Sequence, residues 1–179
     1  MSEGPRLSVT AEGLRRSFDR SFAEAPPAAA EPAQDFLAIH AGAEAYAVRL
    51  GEIAGLYVDR PIVALPGPLP ELLGLVGIRG SVRPVYDLAG LLGHAPGGAG
   101  RWLLLTGRTE VIALACSAFD GHVRLPRREV VRQEGGHPLR PHLREVVRVG
   151  DGVRPIINLA SLVEALTQRV RGIAPLKEP

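Results

Sequence analysis

Apolar residues in this chain fall in short runs broken by Gly, Pro and charged groups, instead of recurring at helical spacing. That pattern favours strands over a helical bundle. It predicts strands over residues 36–41, 45–50, 55–58, 75–79 and 82–86, with small residues in the turns. Asp87 stands where it can cap a short helix over 88–92, and Gly93 can end that helix because it lacks a Cβ. His94-Ala95-Pro96-Gly97-Gly98-Ala99-Gly100 reads as an exposed connection, after which the pattern starts again. Strands are expected over 102–106, 111–115, 146–149 and 153–157, followed by Asn158 as the cap of a helix over 159–170.

The restart is also visible residue by residue. At an offset of 66, Phe36-Leu37-Ala38-Ile39 maps onto Trp102-Leu103-Leu104-Leu105, and Glu44 maps onto Glu110. At an offset of 71, Val82-Arg83-Pro84-Val85-Tyr86-Asp87-Leu88-Ala89 meets Val153-Arg154-Pro155-Ile156-Ile157-Asn158-Leu159-Ala160, and Leu91 meets Leu162. Two related small β lobes explain both, with sequence portions of approximately 36–93 and 101–158; the alternative is that short strand-turn-helix patterns recur by chance. Closing each lobe into a small barrel removes exposed edges. Proline donates no ladder hydrogen bond, so both Arg-Pro pairs are expected at barrel rims or on edge strands.

Composition adds a boundary. The chain has 179 residues, 46% of them apolar and 22% charged, which suits one domain-sized core and argues against wholesale disorder. Residues 1–35 carry four basic and six acidic groups, leaving 17 and 13 to the rest, so the balance is −2 and then +4. Ala25-Pro26-Pro27-Ala28-Ala29-Ala30-Glu31-Pro32 has the look of a linker. Before it, Leu14, Phe18 and Phe22 recur every four residues behind Thr10, while Gly13 weakens a helix. This 1–35 extension is read as disordered or marginally helical, with packing on the domain or accessory partner binding by Leu14, Phe18 and Phe22 as alternatives; residues 171–179 are read as a flexible tail.

Candidate chemistry is sparse. Cys116 is the only cysteine, which excludes an internal disulfide and fits a reducing compartment, and it reads as a buried small side chain. His40, His94, His122, His137 and His142 are dispersed without metal-ligand spacing. Neither glycine run has the phosphate-loop pattern, and Glu44 and Glu110 lie at like positions of successive lobes, which would hold them apart. Arg124, Arg127, Arg128, Arg132, Arg140, Arg144 and Arg148 oppose Glu129, Glu134 and Glu145. With Pro126, Pro138 and Pro141 this stretch reads as a connecting region, a solvated loop surface or acidic-partner surface, with internal pairing and nucleic acid as lesser alternatives. RNA readout commonly adds exposed aromatics, and the stretch has none. No leader or membrane-spanning run is seen, so a cytoplasmic protein without catalytic residues, metal or cofactor is expected.

Gly74-Leu75-Val76-Gly77-Ile78-Arg79-Gly80-Ser81-Val82-Arg83-Pro84-Val85-Tyr86-Asp87-Leu88 resembles the hallmark of the CheW-like chemotaxis coupling family. Phe36-Leu37-Ala38-Ile39, Tyr46-Ala47-Val48 and Ile62-Val63-Ala64-Leu65-Pro66-Gly67 precede it in the family's order, and residues 146–159 resemble the second-lobe ending. The resemblance covers about residues 34–170. It implies two five-stranded SH3-like barrels with a short C-terminal helix, and a non-enzymatic adaptor, recruited to receptor arrays, between a chemoreceptor signalling tip and the regulatory domain of a histidine kinase.

Under that resemblance Ile78, Arg79 and Gly80 are receptor-binding candidates, and Glu52, Ile53, Leu56 and Val58 kinase-binding candidates. Arg79 has a structural alternative, an internal pair with an acidic residue, and the alternative for Ile53, Leu56 and Val58 is that at least two of them are core strand residues. Two departures stand out. Gly77 occupies the position where the family usually has Asn, which removes hydrogen-bonding capacity, and Gly51 and Gly55 soften the segment before the kinase-contact strand. A divergent regulator that binds one array component or a non-array partner, and a small enzyme with an unrecognised tertiary site, are the competing functions. Neither nucleic-acid binding nor membrane insertion is expected.

Overall fold

The structure, a computed structural model, describes residues 31–95, 100–107, 111–133, 141–150 and 152–172. Leu14, Phe18, Phe22, Glu110, Glu134, His137, Pro138 and Arg140 lie outside these residues, as does the tail beyond 172. The described residues form twelve strands: β1 (Ala33–Ala41), β2 (Glu44–Arg49), β3 (Ile53–Val58), β4 (Ile62–Val63), β5 (Leu72–Ile78), β6 (Ser81–Asp87), β7 (Trp102–Thr106), β8 (Ala113–Cys116), β9 (Ala118–Pro126), β10 (Val130–Arg132), β11 (Glu145–Val149) and β12 (Gly152–Ile157). Helix α1 (Leu88–Leu91) follows β6, and α2 (Leu159–Gly172) follows β12. β1 begins at Ala33, so the domain takes in the last residues assigned above to the extension.

The strands form two six-stranded sheets, ordered β10-β11-β12-β2-β1-β9 and β3-β7-β8-β6-β5-β4. Read from opposite ends the two orders are equivalent: β9 takes the place of β3, β1 of β7, β2 of β8, β12 of β6, β11 of β5 and β10 of β4. Both offsets in the sequence reappear in the registers. Ile156 pairs with Ala47 and Ile157 with Val48 in parallel, as Val85 pairs with Ala113 and Tyr86 with Leu114. The duplication is therefore structural.

The lobes are not sequence-contiguous, however, and this corrects the 36–93 and 101–158 division. The first hairpin, β1–β2, sits among β9–β12, and the hairpin β7–β8 sits among β3–β6. Each half has exchanged its leading hairpin with the other. The start of the arginine-rich stretch is likewise strand, not connection: Arg124 to Pro126 end β9, which pairs with β1 along its length, with Val123 and Leu125 turned inward and His122 and Arg124 outward.

Each sheet rolls up. Asp59-Arg60-Pro61 alone joins β3 to β4, opposite edges of the second sheet, and three residues span at most about 10 Å. A 3-10 turn, Arg127–Glu129, joins β9 to β10 across the first sheet in the same way. Tyr57 and Ile62, from the two edges of the second sheet, pack on one inner cluster of Val76, Ile78, Val85, Leu103, Leu105, Ala113 and Ala115. Val123 and Val130 do so in the first sheet, on Phe36, Ala47, Val147 and Ile156. A third and largest cluster lies between the sheets and collects Leu37, Ile39, Tyr46, Val48, Tyr86, Leu104, Leu114 and Ile157, with Leu159, Leu162, Val163 and Leu166 of α2.

Runs such as Leu103-Leu104-Leu105 are apolar throughout because alternate residues serve different clusters, so both faces of the strand are buried. The barrels carry six hydrogen-bonded strands rather than five, the additions being the short β4 and β10.

The predicted caps are present. Asp87 accepts a hydrogen bond from the Ala89 amide at 3.0 Å, and Asn158 accepts one from the Ser161 amide at 2.8 Å. The Arg-Pro strands β6 and β12 are internal, not edges, but the parallel ladders start at Val85 and Ile156. Pro84 and Pro155 thus fall one residue before the ladder needs a donor.

Candidate partner-docking surfaces

Ile78 pairs with Ser81, so Arg79 and Gly80 are the whole β5–β6 loop. Their φ values, +49° and +75°, are those of a type I′ turn, which matches the twist of the hairpin. Glycine reaches that region freely, whereas arginine there is uncommon. Ile78 is buried in the inner cluster of its own sheet, leaving Arg79 and Gly80 exposed. The Arg79 guanidinium lies 5.9 Å from the Tyr57 ring centroid, and no carboxylate pairs with it among the described residues. An internal ion pair, the structural alternative for Arg79, therefore finds no support there. A Cβ at Gly77 would meet open space, so a side chain is missing from an exposed position facing Val82 in the register.

The four kinase-side candidates have separate fates. Glu52 Oε2 accepts a hydrogen bond from the Leu159 amide at 3.0 Å, closing the exposed start of α2. Ile53 and Leu56 pack on the inter-sheet cluster. What the four leave for a partner is Val58, 40% exposed on the edge strand β3. Gly55 has a local role: a Cβ there would come within 2.9 Å of the Tyr57 ring, so its absence seats the tyrosine. Val58 follows Tyr57, and Arg79 lies over Tyr57, so candidates from two separate motifs share one end of the second sheet.

A larger apolar feature follows from register. Val76 and Val85 face the inner cluster, so their neighbours face outward. Val63 pairs with Leu75 and Leu75 with Pro84, while Val82 lies on the same outer face two residues before Pro84. In the first sheet Val131 pairs with Val146, Val146 with Pro155, and Val153 precedes Pro155 by two. The four valines at the ends of these rows are 71% (Val63), 67% (Val82), 56% (Val131) and 60% (Val153) exposed. Each sheet thus presents the same apolar patch at the same place. Sequence reasoning placed no role on these residues, although the offset of 71 already aligned Val82 with Val153.

Elsewhere, a groove of about 580 Å³ runs between α2 and the ends of β2 and β7, lined by Gly51, Glu52, Gly107, Val163, Glu164 and Gln168. Among the described residues no three His, Cys, Asp or Glu side chains come together as a metal site. Burial pushes the Cys116 thiol up to about 12, which leaves it unreactive. His40 pairs with Asp120 at 2.9 Å and His122 with Asp35 at 3.0 Å, both across the β1–β9 ladder. No helix of the described residues is long and apolar enough to cross a membrane.

His142 Nδ1 lies 2.8 Å from Ser161 Oγ. Burial, with Arg144 nearby, lowers its pKa below the ordinary 6.5. The unfolded chain then binds more protons than the native one, so stability falls as pH drops from about 6.5 through the lowered native value. Asp59 and Asp120 do not confuse this window, because both titrate below the ordinary 3.8. Burial, which raises Asp120, is outweighed by its hydrogen bonds from Arg154 and His40. We predict that His142→Gln flattens part of the decline in Tm between about pH 7 and about pH 5. An unaltered slope would dismiss His142 as its source.

A CheW-like domain family model matches residues 35–167. No curated protein matches the chain. Among solved structures it is similar to that titled the crystal structure of scaffolding protein TtCheW from Thermoanaerobacter tengcongensis, with a TM-score of 0.66 at 16% identity over 74% of this chain and 94% of that one. At that identity the likeness is one of fold.

Proposed function

Because the chain belongs to the CheW-like domain family, we propose that it is a chemotaxis scaffold that holds a chemoreceptor signalling tip and the regulatory domain of a histidine kinase at the same time. The observation that carries this reading is the pair of equivalent apolar patches, one on each rolled sheet. Monomeric proteins seldom expose such surface without a partner for it. An adaptor that sets geometry needs two faces on one rigid core, and a duplicated fold supplies them.

We assign the receptor to the Arg79–Gly80 turn with Val58 and Val82. Val58 entered as a kinase-side candidate, but it adjoins Tyr57 and hence Arg79, and one end of one sheet does not serve two partners together. The kinase is therefore assigned to the equivalent face of the first sheet, around Val131, Val146, Val153 and Pro155. Recruitment to receptor arrays follows from holding both. The test is size-exclusion chromatography of the full chain with a receptor signalling-tip fragment and a kinase regulatory domain. A peak containing all three is expected. Binding to only one would favour a single-component regulator, the reading that the exposed Gly77 speaks for, and binding to neither would sink the adaptor.

A further inference from the structure

Two arginines share one aromatic ring where the second sheet rolls shut. The Arg60 guanidinium carbon lies 5.6 Å, and that of Arg79 5.9 Å, from the centroid of Tyr57. Arg60 belongs to the linker that closes the sheet and Arg79 to the hairpin turn, so unrelated parts of the chain bring them together. Among the described residues neither is paired with a carboxylate. The acid adjacent in sequence, Asp59, is drawn away: Arg101 donates to its two oxygens from Nε at 2.8 Å and Nη2 at 2.6 Å, and the Asp59 amide donates to the Arg101 carbonyl at 2.9 Å. The Arg101 hydrogen bond also holds the Asp59 carboxyl below its ordinary value, so it stays ionised and engaged.

Backbone geometry points to the same spot. Asp59 and Arg79, with φ of +50° and +49°, are the two non-glycine residues of left-handed conformation among the described residues. Such strain costs on the order of 1–2 kcal/mol per residue and survives where surrounding structure enforces it, commonly at ligand clamps. Here both instances flank one ring.

We propose that Arg60, Tyr57 and Arg79 form a clamp for a carboxylate-bearing segment of a partner protein, kept open by the Asp59–Arg101 pair. A guanidinium is planar, weakly hydrated and always charged, so it rests on an aromatic face while its fork grips a carboxylate in two hydrogen bonds. Two like charges near one ring repel until an anion joins them. Arginine and tyrosine are also the residues in which interface hot spots are enriched, and Val58 and Val82 are exposed apolar residues of the same sheet. A nucleic acid is disfavoured because base stacking needs an open ring, whereas Tyr57 is half-buried with its hydroxyl fully covered. The clamp refines the receptor face proposed above and rests on that reading only for the partner's identity.

The test uses the arginine Nε–Hε signals of the full chain, titrated with hexaglutamate and separately with inorganic phosphate. Saturable shifts at Arg60 and Arg79 are expected with hexaglutamate at lower concentration than with phosphate. The Arg60→Ala/Arg79→Ala variant should bind about tenfold more weakly with an unchanged Tm. Arg101→Ala should also weaken binding, because the released Asp59 competes for the clamp, and adding Asp59→Asn should restore it. Unmoved Arg60 and Arg79 signals, equal response to phosphate, or tighter binding by Arg101→Ala would each overturn the proposal. Hexaglutamate is read without receptor or kinase, so this result and the fate of the adaptor reading are separable.

Discussion

Residues 101–179 on their own are expected to show no cooperative thermal transition by circular dichroism, and mixing or co-expression with residues 31–100 is expected to restore one. The reason is the exchange of leading hairpins. Without residues 33–49, β9 loses its ladder partner β1, and β12 loses its parallel partner β2. The inner cluster of the first sheet loses Phe36 and Ala47, and the inter-sheet cluster loses Leu37, Ile39, Tyr46 and Val48. At about 1.5–3 kcal/mol for each buried large side chain, those last four alone account for roughly 6–12 kcal/mol. Whole domains are stable by about 5–15 kcal/mol, so nothing is left to fold the half-chain. Sequence-contiguous lobes predict the opposite, a folded fragment with its own Tm; observing that would reject the interleaved topology.

The offsets of 66 and 71 identified which segments are alike, and the structure bears out both, yet likeness does not say what pairs with what. β1 resembles β7 because each is a central strand apolar on both faces, and that equivalence is a local property of Phe36-Leu37-Ala38-Ile39 and Trp102-Leu103-Leu104-Leu105. β2 pairs with β1 as its own hairpin, but the other partner of β1 is β9, more than 70 residues away, and long-range pairing leaves no mark in a short window. The caps Asp87 and Asn158 were legible because capping acts within three residues.

β9 is hard to read because Arg124, Pro126 and the arginines that follow mask a plain alternation, His122-Val123-Arg124-Leu125, whose inward members pack on the inner cluster. At the candidate site the Arg79 turn was readable from its motif, while the internal places of Ile53 and Leu56 follow from the inter-sheet core. Tyr57 and Arg60 escaped notice because their company with Arg79 exists only once the sheet has closed.

Val82→Asp and Val153→Asp, equivalent positions on the two sheets, are expected to disable one partner each. Both side chains are mostly solvent-exposed, so a change there costs the fold little, within about 1 kcal/mol including the lower strand propensity of aspartate. In a complex the same carboxylate is buried in apolar contact without a partner, a penalty of several kcal/mol if the site cannot rearrange. A loss of about tenfold to a hundredfold in affinity is thus the expected scale, each factor of ten corresponding to about 1.4 kcal/mol. With receptor and kinase fragments titrated separately, Val82→Asp should lose the receptor and keep the kinase within about twofold, and Val153→Asp should do the reverse. Loss of the same partner from both variants would mean that the two patches serve one interface. Unchanged binding in both would mean that the exposed valines are not docking surfaces, and that the adaptor's contacts must be sought elsewhere, beginning with the groove beside α2 that Glu52, Val163 and Glu164 line.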